Sequence, residues 1–157
     1  MDFEPYFKSP VKERSTDHIK DLYFADLEMA RRVGAFLNST AFYFWFTVQG
    51  NCRNVAGMDI EKFPVGDLEA ADLNRLEKLF PLLMRDLQRH SRRRVYVYEA
   101  SGKVEYDEFY PDQSKPIIDE IDRVLAAHYG FTDEELDFII NYDIKYRMGR
   151  DAESDED

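Results

Sequence analysis

The chain has 157 residues, 44% hydrophobic, 15% aromatic and 34% charged, which is enough apolar material for one folded domain with a modest core. Its single cysteine, Cys52, excludes an internal disulfide and is too few for a structural zinc site, as fits a reducing cytoplasm. The formal net charge is −11, with five negative charges in the last seven residues; such a balance argues against free-standing, non-specific DNA binding, which depends on neutralising phosphates.

Residues 1–24 contain two prolines and no clear period, and read as an extended lead-in. The start, Met-Asp-Phe-Glu, has neither the basic nor the apolar region of a signal peptide. From Ala25 the apolar residues Leu27, Ala30, Gly34, Leu37, Ala41, Trp45 and Val48 recur at helical steps. Asn38, Ser39 and Thr40 interrupt them with cap residues, so two helices are expected to meet there. The run Phe42-Tyr43-Phe44-Trp45-Phe46 is aromatic on every side and reads equally as a helix or a buried strand. The longest apolar stretch, Ala41–Val48, is far short of the ~20 residues of a membrane span, so no membrane is expected.

Gly50, Asn51 and Gly57 mark a loop, and Asp59 to Pro64 reads as a short turn. Residues 67–91 carry one apolar stripe of Leu76, Leu79, Phe80, Leu83, Met84 and Leu87, a helix that Pro81 is expected to kink or split. Arg94–Tyr98 and Val104–Tyr106, separated by Ser101-Gly102, predict a charged hairpin at an edge. Ile117, Ile118, Ile121, Val124, Leu125 and Tyr129 form a helix face that ends at Gly130. Thr132 and Glu135 then spell a capping box, with Phe131 and Leu136 at the staple positions of the next helix. The expected fold is therefore α+β and mainly helical, with one small β-hairpin and a C-terminal helix pair. An acidic tail, 150–157, is expected to be disordered.

Catalytic motifs are missing. There is no Gly-x-Gly loop to cradle a cofactor, no Pro-Pro motif to orient a target amine and no P-loop. His18, His90 and His128 are far apart, so no metal site is expected. Pro111-Asp112 and Asp143-Ile144-Lys145 faintly match a metal-dependent nuclease pattern, but residues two apart on a helix do not share a face, and ordinary surface charge is the stronger reading. The basic cluster Arg85, Arg89, Arg92, Arg93 and Arg94 contains one acid, Asp86. It suits a grip on successive DNA phosphates and equally suits a cationic helix end pairing with acids elsewhere. The aromatic run could stack bases, although core is the commoner role. Arg53 and Asn54 in the following loop have the side chains that read guanine and adenine edges.

Three stretches, Asn38–Trp45, Gly50–Asn54 and Asp59–Pro64, resemble a segment in the recognition domains of type IIG restriction–modification enzymes, which fuse an N6-adenine DNA methyltransferase to a target-recognition domain. Lys103–Pro111, Lys115–Asp122, His128–Leu136 and Ile140–Arg147 are similar, in the same order, to the C-terminal end of those polypeptides. The resemblance spans about residues 25–150 and implies a distal part of the recognition domain at 25–66 and a helix, hairpin and closing helix pair at 67–149. It implies DNA as a partner and a methyltransferase body in the same polypeptide or in a separate subunit; by their charge and side-chain type, Arg53, Asn54, Arg85, Arg89, Arg92, Arg93 and Arg94 are the residues expected to contact the DNA. S-adenosylmethionine is implied for the whole enzyme. This chain has no counterpart of the family's cofactor or catalytic motifs, so no cofactor and no catalysis are assigned to it. The rival readings are an acidic DNA mimic, motivated by the net charge, and a plain protein-interaction module.

Overall fold

The computed structural model describes residues 7–8, 22–50, 55–99 and 102–143. Among them the elements run β1 (Phe7–Lys8), α1 (Leu27–Leu37), α2 (Thr40–Gln49), α3 (Gly57–Glu61), α4 (Ala70–Arg89), β2 (Arg92–Tyr98), β3 (Gly102–Glu108), α5 (Lys115–Tyr129) and α6 (Asp133–Asn141). The fold is α+β and mainly helical, with the hairpin and the C-terminal helix pair in their expected places. Arg53, Asn54, Cys52, most of the lead-in and the acidic tail lie outside the described residues.

Cap chemistry sets the helix ends. Asp26 accepts from the Met29 N–H at 2.7 Å and starts α1. Ser39 starts α2, its hydroxyl accepting from Phe42 N at 3.0 Å. The aromatic run is therefore helical. Gly130, at φ 68°, ends α5 with the Phe131 N–H on Ala126 O and its own N–H on Ala127 O, the paired bonds of a Schellman stop. Thr132 Oγ1 accepts from Glu135 N at 3.2 Å while Glu135 Oε2 accepts from Thr132 N at 2.8 Å, so both halves of the capping box form.

Two expectations change. The turn at Asp59 contains a short helix, α3, in which the Asp59 carboxylate accepts from Ala56 N at 2.8 Å. Of the kink or split expected at Pro81, the split does not occur: α4 runs unbroken for 20 residues. Proline costs a helix one hydrogen bond, but Leu76, Phe80 and Leu83 on either side are buried and hold both halves in one core.

That core draws on α1, α2, α4, α5 and α6 together with Phe63, which follows α3. The Phe63 ring meets Phe36, Phe42 and Trp45 edge-on at centroid distances of 6.4, 5.3 and 5.7 Å. α1 lies tight on α4 because Gly34 has no side chain: a Cβ there would stand 2.4 Å from the Phe80 ring. Arg31 and Arg32 of α1 flank this contact, reaching Glu77 of α4 at 3.7 and 3.4 Å.

The start of α2 is closed from a distant part of the chain. Asp122, on α5 and 2% exposed, accepts from Thr40 N at 2.8 Å and Ala41 N at 3.1 Å. With Ser39 N bonded to Phe36 O and Phe42 N to Ser39 Oγ, every N–H of the first turn has an acceptor. A carboxylate at the positive end of the helix dipole adds electrostatic stabilisation.

Candidate nucleic-acid interface

Five arginines meet where α4 ends and the sheet begins. Arg85 and Arg89 occupy the last turns of α4, and Arg92, Arg93 and Arg94 open β2. The hairpin register pairs Arg92 with Glu108, Arg93 with Asp107 and Arg94 with Tyr106. Strand alternation then places Arg92 and Arg94 on one face and Arg93 on the other.

The register brings acids back alongside the cluster. Arg93 donates to Asp107 at 2.8 Å and lies 3.6 Å from Glu105. Arg94 Nε donates to Glu108 at 2.7 Å, and its Nη2 donates to the Tyr110 hydroxyl at 3.2 Å. Tyr110 in turn donates to Glu108. The bond from Tyr110, then that from Arg94, holds the Glu108 carboxyl below its ordinary range. The bond to Asp107 raises Arg93, and the bond to Glu108 raises Arg94, further above an already high value.

The remaining three differ. Asp86, the one acid within the cluster, accepts from buried Ser114 at 2.7 Å and lies 3.4 Å from His90. It leaves Arg85 and Arg89 exposed and without an acidic partner among the described residues. Arg85 Nε donates to the Pro81 carbonyl at 3.2 Å. Arg92 lies over the Tyr110 ring, 4.9 Å from its centroid, which orients the guanidinium without neutralising it. On the same face Tyr96 stacks on Tyr106 at 5.7 Å and 5°.

All five are exposed, and the cluster divides into three cations without an ion pair among the described residues, Arg85, Arg89 and Arg92, and two locked ones, Arg93 and Arg94. Sequence reasoning misses Tyr110 and the acids of β3. A hairpin turned at Ser101-Gly102 carries the needed signal, since folding it back places Glu105, Asp107 and Glu108 beside the arginines.

Asp112 accepts from Gln113 at 2.7 Å, Asp143 accepts from Tyr43 at 2.9 Å, and Lys145 lies outside the described residues. No group of three or more metal-ligating side chains occurs among the described residues. None of their helices is long and apolar enough to cross a membrane.

Comparison with known proteins returns no matching family model, no matching curated protein and no matching solved structure.

Proposed function

We propose that this chain is the distal target-recognition portion of an adenine-specific restriction–modification DNA methyltransferase, and that it grips the DNA backbone through the corner between α4 and β2. The observation that carries the reading is the trio Arg85, Arg89 and Arg92, exposed at the junction of a helix and a strand and without the ion pairs that hold Arg93 and Arg94; Arg92 faces Glu108 across the strands, but that carboxylate bonds Arg94. Forked guanidinium donors suit phosphate oxygens, and phosphate contacts fix position without reading sequence. The ordered resemblance of Lys103–Arg147 to the end of type IIG polypeptides supports the same reading.

Methyl transfer itself belongs to a methyltransferase body that binds S-adenosylmethionine; this chain contributes grip and position. An acidic net charge fits a part that binds DNA only weakly without that body beside it. A DNA mimic would run its carboxylates along one face, whereas here five exposed arginines crowd the corner between α4 and β2.

The test is a fluorescence-anisotropy titration of the full chain against two unrelated labelled duplexes at several salt concentrations. Replacing Arg85, Arg89 and Arg92 together by alanine should weaken binding to both duplexes by similar factors. It should also flatten the slope of log affinity against log salt by about 0.9 for each phosphate that is no longer neutralised, roughly 2.7 for three. An unchanged slope, or no binding by the parent chain at low salt, would refute the assignment.

A further inference from the structure

Among the described residues the sheet has the order β1-β3-β2, so β2 is an edge strand with one row of backbone N–H and C=O groups facing outward. Its sequence, Arg-Arg-Arg-Val-Tyr-Val-Tyr, is rich in strand formers, and Val95 and Val97 are 50% and 80% exposed. A long, apolar edge is a template for another strand, and proteins commonly block such edges with charge. Here that block is weakened, because Arg93 and Arg94 are neutralised from within their own hairpin by Asp107 and Glu108.

We propose that β2 pairs antiparallel with β2 of a second copy of this chain, about a two-fold axis at Val95. Val95 is the midpoint of Arg92–Tyr98, so this register pairs the strand along its whole length. It sets Arg92 opposite Tyr98, Arg93 opposite Val97, Arg94 opposite Tyr96, and Val95 opposite itself. No arginine is paired with an arginine, and the Arg94–Tyr96 pairing sets a cation beside an aromatic ring, a favourable combination. A parallel arrangement would stack the three arginines on their own copies, and an antiparallel register centred one residue earlier would set Arg94 against Arg94. Charge and strand length therefore select the same register, and the symmetric geometry closes at two copies. The two joined sheets form a continuous six-stranded sheet with β1 at each end. This inference does not depend on the DNA reading.

Sedimentation velocity of the full chain over a range of concentrations should show a reversible monomer–dimer equilibrium. Val95→Lys puts like charges face to face on the axis and should raise the dimer dissociation constant by roughly tenfold or more, with an unchanged circular dichroism spectrum. The register is tested in a Cys52→Ser background. Under mild oxidation Val95→Cys should cross-link two copies, whereas Val97→Cys, paired with Arg93, should not. A chain that stays monomeric at every concentration overturns the proposal. So does a dimer that Val95→Lys leaves intact, or one in which both cysteine variants cross-link equally.

Discussion

Removing the Asp122 carboxylate tests how the start of α2 is held. In Asp122→Ala, Thr40 N–H and Ala41 N–H lose their acceptor in a site where Thr40 is 1% and Asp122 2% exposed, so water cannot replace it without opening the packing. Each unsatisfied buried donor costs about 1–3 kcal/mol, and the missing charge–dipole attraction adds up to about 2 kcal/mol. Relief of burying a carboxylate offsets part of this, leaving a net destabilisation of about 3–4 kcal/mol. For a domain of this size that is a fall in melting temperature of roughly 6–16 °C. Asp122→Asn keeps an acceptor oxygen and loses the charge, and should cost about 1–2 kcal/mol. Urea unfolding read by circular dichroism measures both variants, with a constant slope confirming that the folded state is otherwise preserved. If alanine costs under about 1 kcal/mol, or if alanine and asparagine cost the same, the two N–H bonds are not what the carboxylate contributes.

Gly34→Ala should destabilise by about 1–2 kcal/mol in the same assay, although alanine is the better helix former by about 1 kcal/mol, because its methyl group would fall 2.4 Å from the buried Phe80 ring. Thr132→Ala, which removes the acceptor for Glu135 N, should cost about 1 kcal/mol by urea unfolding. Tyr129, whose hydroxyl donates to Pro64 O at 2.9 Å, is pushed up by burial to about 12. Because its neutral form is favoured in the fold, the stability it contributes is complete below pH 10 and lost as pH rises toward 12. An ultraviolet titration should show a late tyrosine step that disappears in Tyr129→Phe.

What the sequence makes legible is local. Ser39, Gly130 and Thr132 act on residues three or four positions away, and the helix ends they announce are where the structure puts them. Pro81 obeys a local rule that packing overrides: with Leu76, Phe80 and Leu83 all buried, the helix loses one bond and continues. β1 is invisible in the sequence because two residues, Phe7 and Lys8, carry no period, and only their pairing with Tyr106 and Glu105 makes them a strand. The arginine cluster is visible as charge, but its division into ion-paired members and members without an ion pair follows from cross-strand register. Asp122 reads as one more polar residue in a helix, yet it lies four positions after Ile118 and three before Leu125, both buried. A charge in phase with an apolar stripe is the sign of a buried partner elsewhere.

The distance between Asp122 and the helix it closes also has a consequence during synthesis. Thr40 and Asp122 are 82 residues apart in sequence. At about 5–20 residues per second, the ribosome needs roughly 4–16 s to make the intervening chain. Throughout that interval α2 lacks both its carboxylate and the α6 surface, where Phe44 comes to rest against Phe138. Phe42 and Trp45 gain Phe63 early, but Phe44 and the first turn of α2 stay open until α5 and α6 have been made.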